Sequence, residues 1–259
     1  MLLALDIGNS NIVAACIDSE RILDTFRLYT DTRKTETQYA AELSHILTFA
    51  SFRIEDFNAA IISCVVPQLT LALKNAVFSL IGSEPIIIGA GIKTGLNICI
   101  DNPIELGADM VCTAVAALHK YGSPCVIADM GTATKLSVLD KNGAFAGGAI
   151  CPGVGIGAQA LSQGASLLPH ITLCAPQKVI GTSTVDSMRS GIICGAAAMV
   201  DGMLLRFFKE LGYPAKVVAT GGLARLVVPH CLETIVLDEN LIFDGLRLLW
   251  QRNQRQNTQ

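Results

Sequence analysis

Two stretches decide the fold: LLALDIGNSNIVAACI, residues 2–17, and CVIADMGTATKLSVL, residues 125–139. Leu2 to Leu5 is a short buried-strand pattern, Ile12 to Ile17 a second, and Arg21 to Leu28 a third after the polar turn Asp18-Ser19-Glu20. Strands joined by such tight turns predict an antiparallel meander. The same grammar returns at Cys125 to Ala128, Lys135 to Leu139 and Ala144 to Ile150. Further strand patterns lie at Ala59 to Cys64, Pro85 to Ile88, Lys216 to Ala219 and Thr234 to Val236. Helical spacing covers Thr37 to Phe49, Pro67 to Ile81, Gly107 to Tyr121, Gly153 to Gln163, Ser183 to Leu211, Ala224 to Val228 and Leu241 to Gln251. The expected fold is therefore α/β, with two related lobes at 1–114 and 115–259 and a cleft between them.

Each lobe opens on the same chemistry. The first strand ends in Asp6-Ile7-Gly8-Asn9-Ser10-Asn11, and 123 residues later Asp129-Met130-Gly131-Thr132-Ala133-Thr134 repeats the Asp-x-Gly pattern followed by a hydrogen-bonding side chain. A glycine in a tight turn lets backbone N–H groups approach an anion, the amide and hydroxyl side chains add donors, and the carboxylate positions a cation. One such hairpin is ordinary turn chemistry; two at equivalent strand ends suit a polyphosphate with its Mg²⁺. Asp109 falls in the first turn of the helix at Gly107 to Tyr121. There it serves either as a helix-start residue favoured by the dipole or as the general base for an acceptor hydroxyl. The glycines at 147, 148, 153 and 155 and the Thr220-Gly221-Gly222 turn permit close backbone approach, either to a ligand or within a tight turn.

Composition narrows the class. Of 259 residues 51% are apolar, which excludes disorder, and the formal charge of −3 gives no field that would draw the chain to nucleic acid. The nine cysteines form no CxxC pair and read as reduced, mostly buried small hydrophobes. The apolar start reaches Asp6 too soon for a secretion signal, and Ser190 to Val200 meets Asp201 too soon for a membrane span. A cytosolic protein without membrane partners is expected.

As an ordered set, DIGNSN at 6–11, NPIELGAD at 102–109, DMGTAT at 129–134, GGAICPG at 147–153, GTSTVDSMRSG at 181–191 and TGG at 220–222 resemble type III pantothenate kinase. That family belongs to the actin-like superfamily of acetate and sugar kinases, with duplicated ribonuclease H-like lobes. The resemblance implies ATP-dependent phosphorylation of pantothenate, the first step of coenzyme A synthesis. It also implies a homodimer needing a divalent cation such as Mg²⁺ and a monovalent one, K⁺ or NH₄⁺. On this resemblance Asp6, Ile7, Gly8, Asn9, Ser10, Asn11, Ile12 and Val13 form the first phosphate loop, and Thr132 contacts ATP in the second. Asp129 holds the monovalent cation. Gly107, Ala108, Asp109 and Met110 shape the pantothenate pocket with Asp109 as proton acceptor, and Thr184 reaches pantothenate from the partner subunit.

The chain departs from the family pattern at four places. Met110 stands where the family has arginine, Ile100 where a tyrosine is common, Thr182 for a common lysine, and Lys135 where threonine is usual. Methionine offers neither charge nor donor to a carboxylate. Two alternatives stay open on these residues: a nucleotide-binding regulator, and a kinase for another small hydroxylated acceptor.

Overall fold

A computed structural model describes residues 1–254. The strands β1 (Leu2–Ile7), β2 (Asn11–Asp18) and β3 (Arg21–Tyr29) form the first meander. They are followed by α1 (Glu36–Phe49), β4 (Ala59–Cys64), α2 (Pro67–Ile81) and β5 (Ile86–Ile87). The sheet order is β3-β2-β1-β4-β5, with β1 antiparallel to β2 and parallel to β4. β1 sits centrally because Leu2, Leu3, Ala4, Leu5 and Ile7 are all buried, leaving no face for solvent. Local chemistry sets the helix ends. Thr35 and Gln38 form a capping box before α1, Pro67 opens α2, and Gly82 closes it at φ 67°. One face of the sheet, with Leu3, Leu5 and Ile62, packs on Tyr39, Leu43 and Leu47 of α1 and Leu69, Leu73 and Val77 of α2.

After α3 (Ala108–Tyr121) the plan repeats with β6 (Cys125–Met130), β7 (Ala133–Leu139) and β8 (Phe145–Pro152). Then come α4 (Val154–Gly164), α5 (Thr184–Leu211), β9 (Lys216–Thr220), α6 (Ala224–Val227), β10 (Ile235–Leu237) and α7 (Leu241–Gln254). The second sheet runs β10-β9-β6-β7-β8, the same arrangement strand for strand. Ser183 caps α5, accepting from the Asp186 N–H, and Gly212 ends it at φ 79°. By length and composition α5 could cross a bilayer. Its apolar stripe has a nearer use, since Met188, Ile193, Val200 and Leu204 are buried against Val126, Ala128 and Leu136. Buried Asp201 on the same helix accepts the N–H groups of Leu232 and Glu233 at 2.8 and 3.1 Å, tying down the turn before β10.

The chain divides into two compact units that interleave in sequence. The first holds Met1–Gly95, Asn102–Ala116 and the helix from Ile242 on; the second holds Leu96–Asp101 and Ala117–Leu241. The division at 114 and 115 assigns α7 to the second lobe, whereas the helix packs in the first. Gly245 explains the packing: a Cβ there would lie 2.0 Å from the Cys112 carbonyl oxygen, so glycine lets α7 press on the backbone of α3. In return, Leu96–Asp101 borders β8, with Phe145 N–H donating to Asn97 O and Cys99 N–H to Phe145 O, each at 2.8 Å.

All nine cysteines are free thiols. Cys16, Cys112 and Cys125 are buried, while Cys99 and Cys174 are exposed rather than packed. Burial pushes the Cys16 and Cys231 thiols up to about 12, with help from the Asp24 and Asp201 charges respectively, and pushes Cys125 to about 11. A thiol whose pKa is higher folded than unfolded stabilises the fold below the unfolded value and loses that contribution as pH rises toward the folded one. Urea midpoints are therefore expected to fall from about pH 9 upward as the unfolded thiols ionise. Cys16→Ala should reduce that slope; an unchanged slope in the variant would remove Cys16 as a cause.

Candidate active site

In the first unit the turn between β1 and β2 is closed by Gly8 N–H donating to Asn11 O at 3.0 Å. A Cβ on Gly8 would stand 3.1 Å from that same oxygen, so the turn is tight enough to favour glycine. Thr30, at the end of the meander, braces it from behind: its Oγ1 donates to Gly8 O at 2.7 Å and its N–H to Ser10 O at 3.2 Å. With these carbonyls engaged, the Asn9 and Ser10 side chains are exposed at the tip. Asp6 is half-buried, and its Oδ1 accepts a hydrogen bond of 3.0 Å from Ser63 Oγ on β4. Ser63 is fully buried and lies level with Asp6 in the parallel ladder.

Asp109 joins this neighbourhood from α3. Its Oδ1 accepts the Met110 N–H at 2.8 Å, and a Cβ on Gly107 would come within 2.7 Å of the same oxygen. Gly107 thus gives the carboxylate room to fold over the helix start. One turn along, the Cys112 thiol is pushed up first by complete burial and then by the charges of Asp6 and Asp109, against a hydrogen bond with Ser63. Two carboxylates from sequence segments about a hundred residues apart therefore bear on one buried thiol. Met110 is half-buried beside Gly107, its Cγ 4.0 Å from where a Cβ would stand, and presents no charge there.

The second unit carries the matching hairpin. Gly131 N–H donates to Ala133 O at 3.1 Å, and Thr132 is exposed at the tip. Two remote glycines press on this turn. A Cβ on Gly153 would stand 2.1 Å from Thr132 O and 2.7 Å from Gly131 O; one on Gly221, at φ 92°, would stand 2.7 Å from Asp129 Oδ1 and from Met130 O. Both of these approaches are to the chain's own hairpin. Gly148 likewise lies against the Leu136 carbonyl. Asp129 faces Lys135 across the β6–β7 ladder, with Nζ 2.8 Å from Oδ2 and both side chains more than four-fifths buried.

Thr184 begins α5 and lines an open hollow of about 660 Å³ together with Gly181, Thr182, Ser183, Ser187, Leu161 and Leu168. A Cβ on Gly181 would clash with the backbone of Ser187, which keeps this loop against the first turn of the helix. Ile100 belongs to the second unit, near Gly147 of β8. Ser63 and Thr30 escaped the sequence reading because nothing local distinguishes them. They matter through strand register and loop packing. Among the described residues no group of three or more His, Cys, Asp or Glu side chains is placed to hold a metal ion. That geometry is compatible with magnesium, which takes one or two carboxylates and completes its shell with phosphate oxygens and water.

The chain matches the type III pantothenate kinase family over residues 2–206. A type III pantothenate kinase of Geotalea uraniireducens is 42% identical over 254 residues, covering 98% of this chain and 99% of that protein. One from Halalkalibacterium halodurans is 40% identical over 253 residues, covering 98% and 100%. Among solved structures, a Campylobacter jejuni protein described under the Baf family of transcriptional activators superposes with a TM-score of 0.61 at 20% identity, covering 98% of this chain and 99% of that one. A ROK hexokinase from Thermus thermophilus gives 0.52 at 13% identity, covering 98% and 99%. These two likenesses bear on the fold alone, the duplicated α/β plan described above. Identity of about 40% along nearly the whole length is a stronger statement, and by it the chain belongs to the type III pantothenate kinase family.

Proposed function

We propose that the chain transfers the γ-phosphoryl group of ATP to the primary hydroxyl of pantothenate, giving 4'-phosphopantothenate and ADP at the entry to coenzyme A synthesis. The observation that carries the reading is the match to this family along nearly the whole chain, with the Asp6 hairpin and Asp109 at the start of α3 both in place. In this reading the backbone of Asp6 to Val13 cradles phosphate oxygens, with Asn9 and Ser10 as exposed donors, and Thr132 of the second hairpin contacts ATP. Gly107, Ala108 and Met110 shape the acceptor pocket. Asp109 takes the proton of the acceptor hydroxyl as its oxygen bonds to the γ-phosphorus and the bond to the β-phosphate oxygen breaks.

A divalent cation accompanies the ATP, and Asp6, partly exposed and steadied by Ser63, suits it. When bound, magnesium would neutralise charge on the phosphates. The monovalent cation implied at Asp129 fits less well, because the Lys135 ammonium is already there. The homodimer belongs to the same reading. Thr184 is exposed at the mouth of its hollow, and Val179 and Ile180 nearby are 72% and 82% exposed, apolar surface suited to a second copy. A cytosolic setting, without nucleic acid or membrane, completes it.

Met110 favours one second reading, an acceptor without a carboxylate, since methionine cannot pair with one. A direct product assay with Mg²⁺-ATP decides between them. Formation of 4'-phosphopantothenate that depends on pantothenate is the expected result. ATP turnover preferring a neutral amide of pantothenate would establish the second reading, and no pantothenate-dependent product would overturn the first.

A further inference from the structure

The two hairpins share a plan but differ in what faces the carboxylate across the antiparallel pair. Opposite Asp6 the ladder places Val13, and on its other side Ser63. Opposite Asp129 it places Lys135, and on its other side Thr220. Residues directly opposed in an antiparallel pair share a face with their Cβ atoms about 5 Å apart, so a lysine can meet the carboxylate without leaving the sheet. Here Nζ lies 2.8 Å from Asp129 Oδ2, and the side chains are 17% and 19% exposed. Gly221, pressed against Asp129 Oδ1, limits where that carboxylate can go.

Beside a phosphate-binding turn a bare carboxylate opposes its own ligand, because its charge has the sign of the phosphates. A cation held at the carboxylate cancels that repulsion, and shielding from water makes the cancellation stronger than for a surface pair. An ion from solution supplies this only by losing its freedom of motion and only at sufficient concentration. A lysine ammonium has the same charge, carries its own hydrogen-bond donors and is tethered. With Nζ on Oδ2, the Lys135 ammonium already supplies the charge that a monovalent cation would bring to this carboxylate.

We propose that Lys135 is a built-in monovalent cation of the second phosphate hairpin, standing at Asp129 where potassium or ammonium would otherwise bind and making phosphotransfer independent of either. This rests on the phosphotransferase reading above, and the test separates the two.

Product formation and thermal midpoint are each measured in KCl, NH₄Cl and tetramethylammonium chloride at equal ionic strength, for wild type, Lys135→Thr and Lys135→Gln. For wild type, kcat/KM and the thermal midpoint are expected to be the same in all three salts. Lys135→Thr should lose about 10²-fold in kcat/KM in tetramethylammonium chloride, the scale of removing one preorganised electrostatic group. Potassium or ammonium should restore most of that loss and raise the variant's thermal midpoint, a binding signal that needs no turnover. Stimulation of wild type by potassium, or a variant fully active without it, would overturn the proposal. The near-isosteric Lys135→Gln and the wild-type salt series keep the test decisive if the threonine variant misfolds. Should wild type form no phosphopantothenate in any salt, the function reading fails, and a potassium-specific midpoint shift in the variants alone still supports Lys135 as the resident cation.

Discussion

Asp109→Asn is expected to lower kcat by about 10² to 10⁴ while leaving ATP affinity near that of wild type. The amide has the shape of the carboxylate but cannot accept the acceptor's proton. It also keeps an oxygen at Oδ1, so the hydrogen bond from the Met110 N–H survives and the start of α3 is undisturbed. Loss of turnover would then not reflect loss of structure. The check is kcat and KM for both substrates, with nucleotide affinity by calorimetry and a thermal midpoint as the structural control. Near wild-type turnover with an unchanged midpoint would reduce Asp109 to a helix-start residue. A collapse of ATP affinity would instead place it in nucleotide binding.

The second large effect is expected at Gly153, where a methyl group should disable the second hairpin. Gly153 precedes α4 with φ −73° and ψ 160°, torsions any residue adopts, so conformation alone does not demand glycine. Space does. A Cβ would meet Thr132 O at 2.1 Å and Gly131 O at 2.7 Å, and backbone carbonyls cannot swing aside as side chains can. Gly153→Ala should cost about 1 to 3 kcal/mol in urea unfolding and raise KM for ATP, because relief requires the turn carrying Thr132 to move. Gly155→Ala is the control. Gly155 lies within α4 with nothing inside 4 Å of a new methyl, so alanine should be neutral or stabilise by up to about 1 kcal/mol. Equal effects at the two positions would show that packing on the hairpin is not what Gly153 provides.

The pair also shows where sequence reasoning stops. Both glycines belong to one strand-to-helix run, and their composition assigns them the same freedom of backbone approach. What they approach depends on a strand pairing formed across sequence, so one faces a carbonyl and the other open space. Gly221 makes the same point. The turn it occupies is legible, but its contact is the Asp129 carboxylate and the Met130 backbone of its own unit.

Local regularities carried the rest. Period-two and helical apolar patterns, proline at Pro67 and glycine at Gly82 and Gly212 depend on neighbours a few residues away, so the elements and their duplicated order were legible without coordinates. The sequence by itself determined the strand and helix order and the Asp-x-Gly hairpin at the head of each repeat. Tertiary structure alone decided that Ser63 steadies Asp6, that Thr30 braces the first turn, that the charges of Asp6 and Asp109 both push the Cys112 thiol up, and that α7 lies with the first unit. It also decided that Lys135, visible in sequence only as a departure, meets Asp129. Apart from Asp129 and Lys135, six residues apart across one hairpin, these relations join residues far apart along the chain. They are set by register and packing, which no local pattern encodes.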